Sequence, residues 1–97
     1  MKLKKIIFDW DQWNLQKNEV KHGVASEEAE SVFMDPRHCV FKDVKHSIAN
    51  EKRFVLYGWS MLQRVLMVGF TIRSGKIRII TARPASQKER SVYEEQE

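Results

Sequence analysis

The sequence predicts an α+β domain, one antiparallel sheet with helices packed on it. Three observations carry this. "RFVLYGWS", "RVLMVGFTIR" and "KIRIITAR" read as three consecutive strands with no more than four residues between neighbours. Two helical stretches precede them, behind a short apolar start. A polar, capped segment closes the chain.

In order, "KKIIFDW", residues 4 to 10, is a short strand with Ile6 and Phe8 on one face and Ile7 on the other. Asp11 is an N-cap, and Gln12 to Lys21 form a helix with Trp13 and Val20 two turns apart on one side. "KHG" ends it, with Lys21 and His22 at the negative end of the dipole and Gly23 free to turn left-handed. Ser26 is expected to cap a second helix, which Glu27 and Glu28 favour electrostatically and which buries Ala29, Val32 and Phe33. Pro36 stops it near Met34. "HCVFKDV" is expected as a short edge strand and "KHSIANEK" as a loop. "SGK" turns a hairpin between the last two strands. The strand before it is apolar on both faces and therefore central. Ser86 and Glu89 form a capping box that opens a final helix through Tyr93.

With 97 residues, the chain is expected to be one domain, 1–97. Its 42% hydrophobic and 31% charged content suits a soluble globule. Cys39 has no partner for an internal disulfide, which fits the cytoplasm. No apolar run reaches membrane-span length, and the start "MKLKKIIFDWDQ" meets acids too soon for a signal peptide. The net charge is +4, but six of the 13 acids lie in Glu27, Glu28, Glu30, Glu94, Glu95 and Glu97. The rest of the chain is strongly basic, and a basic body attracts polyanions.

Cofactor chemistry finds little to hold it. His22, His38 and His46 make no helical i,i+4 pair, and no glycine-rich phosphate loop is present. What remains is chemistry by Arg, Lys, His, Glu and Tyr. RNA suits such a site because its 2′-OH is a built-in nucleophile. The protein then supplies a base, an acid and cations for the phosphorane. Period-two counting puts Ile77, Ile79, Thr81 and Arg83 on one face, with Thr71 and Arg73 together on the neighbouring strand. Strand register sets Arg73 and Arg83 at opposite ends. Each candidate also has a structural reading: His22 answers a helix dipole, Glu89 caps, and Tyr93 fills core. Arg78 is expected to face solvent, and Trp10, Trp13 and Trp59 are expected in the core.

Taken together, "FDWD", "KHGV", "EEAESVFMDP", the "HS", "RF" and "RVL" elements, "IRIITAR" and "ER" followed by "YEE" resemble, in order and over nearly the whole chain, the BrnT family of bacterial type II toxins. The resemblance implies a RelE-like fold and an endonuclease that cleaves mRNA, on the ribosome or free of it, and so blocks translation. It also implies a BrnA-type antitoxin, through which alone the toxin would meet DNA. No metal or other cofactor is expected. Carried over by motif, His22, Arg73, Arg83 and Tyr93 are the catalytic candidates. Lys21, Arg53, Arg64 and Arg90 are the RNA-binding ones, and Glu89 belongs to the same element as Arg90. Thr81 replaces a usual serine, Asn14 a common lysine and Gln63 a usual glycine, and the His46 to Arg53 loop is longer than typical. A non-catalytic module that binds the antitoxin or RNA is the alternative.

Overall fold

A computed structural model describes residues 5–95. Lys4, the expected start of the first strand, and Glu97 lie outside them. The order is β1 (Phe8–Trp10), α1 (Gln12–His22), α2 (Ser26–Ser31), a 3-10 turn (Val32–Met34), β2 (Cys39–Ile48), β3 (Glu51–Trp59), β4 (Val65–Arg73), β5 (Lys76–Pro84) and α3 (Gln87–Glu94). The five strands form one sheet in the order β1-β5-β4-β3-β2, with β4 central as its two apolar faces require. The meander β2 to β5 is antiparallel, but β1 joins β5 in parallel, so the sheet is mixed. A strand separated from its neighbour by most of the chain has no hairpin to impose its direction.

One face carries the core. Leu56, Leu66, Val68, Phe70, Ile79 and Ala82 meet Val24, Ala29, Val32 and Phe33 from the helical layer. Phe33 sits edge-on between Phe8 and Phe70, at 5.2 Å from each ring. The layers approach closely at Gly58, where an added Cβ would lie 2.9 Å from the Val32 side chain and carbonyl.

Four further expectations change. In β5 the register passes from Gly69 opposite Thr81 to Phe70 opposite Ile79, leaving Ile80 as a bulge. The alternation flips there. Ile77, Ile79 and Ala82 face the helices, while Thr81 and Arg83 face the other side beside Gly69 and Met67. The loop expected at "KHSIANEK" is mostly strand. β2 runs to Ile48, with Ser47 Oγ donating to Asp43 O (2.6 Å) and accepting from Arg53 N (2.9 Å). Its Val44 and Ile48 are exposed and its register with β3 breaks between Asp43 and Ile48, so the Ser47 hydroxyl rather than burial ties this stretch to β3.

At α2 the cap residue is Ala25, and the Ser26 hydroxyl donates to Glu27 Oε1 (3.3 Å) instead of capping. The tryptophans leave the core as well. Trp13 is 72% and Trp59 47% exposed, and Trp10 is half-buried with Nε1 on Glu30 (2.7 Å). Trp13 and Val20 do share a side of α1, but that side faces solvent. The inward side is polar, because α1 lies along the edge of β5 beyond the three residues that β1 covers. There buried Asn18 Oδ1 accepts the Ala82 N–H (3.1 Å), closing an open strand edge.

Candidate active site

The candidate residues sort to the two ends of the sheet. Arg83 stands opposite Met67 near the start of β4, and Arg73 opposite Lys76 at its finish. The six-residue interval is about 20 Å at roughly 3.3 Å per residue. As the register implied, Arg73 and Arg83 cannot share one phosphate. Arg53 lies with Arg73, because Arg53 pairs with Thr71 of β4. Both arginines bind Glu51, Arg53 Nε at 2.9 Å and Arg73 Nη2 at 3.0 Å.

The other end gathers His22, Lys21, Arg64, Arg83, Arg90 and Tyr93. α1 delivers His22 at its last turn, where Gly23 adopts φ 68 and its N–H closes on Glu19 O (3.1 Å). Burial first, then the charges of Lys21, Lys17 and Arg83, push the imidazole below its ordinary pKa. That shift favours the neutral imidazole, the form that can accept a proton. Lys17 was not singled out from the sequence, but its spacing of four from Lys21 already put it on that helix face.

Arg83 ends β5 and is half-buried. Nη1 and Nη2 donate to the two Glu89 oxygens, each at 2.9 Å, and Nη1 also reaches Pro84 O (3.2 Å). Glu89 accepts Ser86 N–H (2.9 Å) as well, so the expected capping box and the strand-end arginine are one assembly. The Arg83 bond, against a burial penalty, leaves the Glu89 carboxyl below its usual range. The fork engaged with Glu89 is the end-on one. The Nε–H and the second Nη2 hydrogen remain as a side-on fork. Tyr57 lies near this pair, its phenol raised by burial and by Glu89. Only strand register brings Tyr57 opposite Met67 and Met67 opposite Arg83.

Arg64 is tied inward. Its Nε donates to Glu28 Oε2 (2.7 Å), and Nη2 to Glu28 Oε1 (2.6 Å) and Gly23 O (3.0 Å). Ser60 Oγ adds a bond to Glu28 Oε2 (2.7 Å). Glu28, expected as a dipole partner, is 2% exposed, and it holds the α1 cap, α2 and the β3–β4 loop together. Tyr93 is buried, and its hydroxyl donates to Asp35 Oδ2 (2.6 Å), which also accepts Trp59 N–H (2.8 Å). Burial and this carboxylate push the phenol up to about 12. A proton-transfer role for Tyr93 would require that bond to open. Arg78, expected in solvent, is half-buried and bonds Asp9 (2.9 Å). A cleft of about 570 Å³ opens at this end, with Arg64 and Arg90 on its walls.

Among the described residues no group of three or more His, Cys, Asp or Glu is placed to hold a metal ion, and no helix is long and apolar enough to cross a membrane.

The model of a family described as the ribonuclease toxin, BrnT, of type II toxin–antitoxin systems matches residues 10–89. No curated protein matches the chain. Among solved structures, the crystal structure of the Brucella abortus ribonuclease toxin BrnT is similar, with a TM-score of 0.64 and 24% identity, over 86% of this chain and 100% of that one. That likeness supports the α+β fold. The family match covers most of the chain and falls on the segments that build both sheet ends: this protein belongs to the BrnT family of type II toxin–antitoxin ribonuclease toxins.

Proposed function

We propose that the chain is a single-domain, metal-independent endoribonuclease that cleaves mRNA in the cytoplasm and inhibits translation. A BrnA-like, DNA-binding antitoxin neutralises it and supplies the only contact with DNA. The observation that carries this reading is Arg83, half-buried at the sheet end with its plane fixed on Glu89 at 2.9 Å, at the same end as His22, Lys17 and Lys21. His22 takes the 2′-OH proton as the 2′-oxygen attacks the adjacent phosphorus. The P–O5′ bond then breaks, the 5′-oxygen leaves with a proton from solvent, and the phosphate closes as a 2′,3′-cyclic ester. Arg83, its plane fixed by Glu89, turns its side-on fork to the phosphorane oxygens. Lys21 and Arg90 bind flanking phosphates, while Arg53 and Arg73 extend the RNA track along the sheet. Arg64 acts by holding the Gly23 carbonyl, and Tyr93 by docking α3.

Expression without the antitoxin should arrest growth. The purified protein should cleave RNA in EDTA and leave 2′,3′-cyclic phosphate or 3′-phosphate ends. Cleavage lost in EDTA and restored by magnesium would overturn the mechanism. Binding should weaken linearly in log affinity against log salt.

One observation favours a second reading, a non-catalytic partner of the antitoxin. Arg53, Arg64, Arg73, Arg78 and Arg83 are each already paired with a carboxylate of the chain itself. Growth unaffected by free toxin would select it.

A further inference from the structure

The cleft at the Arg83 end of the sheet, lined by Pro84 and Ala85 and not by Arg83 itself, has a wall that phosphate chemistry does not use. Trp59 stands on it at the end of β3, nearly half-exposed, its backbone pinned by the Asp35 carboxylate. No hydrogen bond engages its indole N–H among the described residues. Across the cleft, α3 lines the wall with Gln87, Arg90 and Glu94, which spacings of three and four place on one helix face. Arg90 makes no ion pair among the described residues.

Between these walls sits Gln63, in the tight loop closed by Ser60 N–H to Arg64 O (2.8 Å) and Gln63 N–H to Ser60 O (2.9 Å). Its φ is 63, in the left-handed region where glycine is relaxed and other side chains are strained. The chain thus keeps an amide side chain where its backbone would accept none at lower cost. Strain of this kind concentrates where a side chain is used. A π-face, amide edges and a free guanidinium facing one another are the recognition set for an unstacked nucleobase.

We propose that this cleft is a purine subsite for the RNA substrate, at the same end of the sheet as Arg83. The base stacks on Trp59, the Gln63 amide pairs with its edge, and Arg90 holds its phosphate. Adenine fits best, since an amide presents a donor and an acceptor to N6 and N7 together. The larger purine face also gains more from stacking than a pyrimidine. The assignment rests on the ribonuclease reading for its substrate, but its binding test does not need cleavage.

Binding of adenosine, guanosine, cytidine and uridine 3′-monophosphates to the whole chain should be measured by calorimetry, beside cleavage of single-stranded RNAs varied at one base next to the cut. Purines should bind about 10-fold tighter than pyrimidines, adenosine first. Trp59→Ala should weaken purine binding about 5- to 100-fold, and Trp59→Phe much less. Gln63→Gly is the decisive variant: it relieves the backbone, so its melting temperature should hold or rise while the purine preference collapses. A merely structural Gln63 would move the melting temperature alone. Equal binding of all four nucleotides, or an unchanged preference in Gln63→Gly, overturns the subsite. A parent that cleaves RNA without base preference sinks the subsite and leaves the ribonuclease reading intact. A parent that binds purines but never cleaves does the reverse.

Discussion

The two ends of the sheet carry the same side chains in different company. At the hairpin end Arg53 and Arg73 share one carboxylate, Glu51, with Arg73 half in water. At the opposite end Glu28 and Glu89 each take a whole guanidinium and further donors besides, Ser60 Oγ for one and Ser86 N–H for the other. Screening and side-chain entropy leave exposed pairs with little net worth, whereas a buried carboxylate left alone is costly. A guanidinium is useful to chemistry where its plane is fixed and a fork is left over. Arg83 meets that condition, whereas Arg73, half in water, is held by one Nη2 contact to Glu51.

The largest effect expected breaks the comparison directly. Arg83→Ala should lose cleavage by on the order of 100- to 1000-fold, the usual loss for one stabilising donor. Arg83→Lys should lose much of the rate while keeping most RNA binding, since a point charge replaces a planar fork. Arg73→Ala should change cleavage only slightly. Equal losses at the two ends, in variants with parental melting curves, would mean that the ends work as one track and not as site and periphery. Arg78→Ala is no neutral control, because its Asp9 bond joins β5 to β1.

The next effect is on stability. Glu28→Ala strips Arg64, the Ser60 hydroxyl and the α1 cap of their common partner, and should cost about 3 kcal/mol in denaturant unfolding. Glu51→Ala should cost under about 1 kcal/mol. The Arg64 bond, opposed by burial, holds the Glu28 carboxyl below its ordinary 4.5. Its stabilising contribution is therefore complete above pH 4.5 and lost as pH falls through the folded value. Stability of Glu28→Gln should fall less than the parent's below pH 4.5. A parallel decline would place the acid sensitivity elsewhere.

Tyr93→Phe sharpens the assignment of α3. Removing the hydroxyl leaves Asp35 its backbone donors and should cost about 1–2 kcal/mol. Cleavage per folded molecule should be unchanged, and a rate loss with intact folding would return the phenol to proton transfer. The folded phenol titrates near 12 against an ordinary 10, so its contribution is present below pH 10 and lost as pH rises towards 12. The phenylalanine variant should lack that alkaline loss. Smallest of all is Arg73→Ala in thermal unfolding, expected within about 0.5 kcal/mol of the parent.

Local chemistry was legible without coordinates. Asp11 and Gly23 bound α1 because capping needs only a few neighbouring residues, and Ser86 with Glu89 starts α3 for the same reason. The meander and its central strand followed from period-two apolar runs and a short turn, and ordered motifs identified the family. The tertiary structure decided what depends on distant partners. It turned Thr81 and Arg83 to the open face through one bulge at Ile80, which no alternation in the sequence announces. It set Trp13 in water, because Asn18 rather than an apolar residue was needed to close the edge of β5. It gave Glu28 to Arg64, 36 residues away, and the Tyr93 hydroxyl to Asp35, 58 away. A residue's type fixes what it can donate or accept. Which partner it meets, and so whether an arginine is a strut or a free fork, depends on register and layer packing, which are summed over the whole chain.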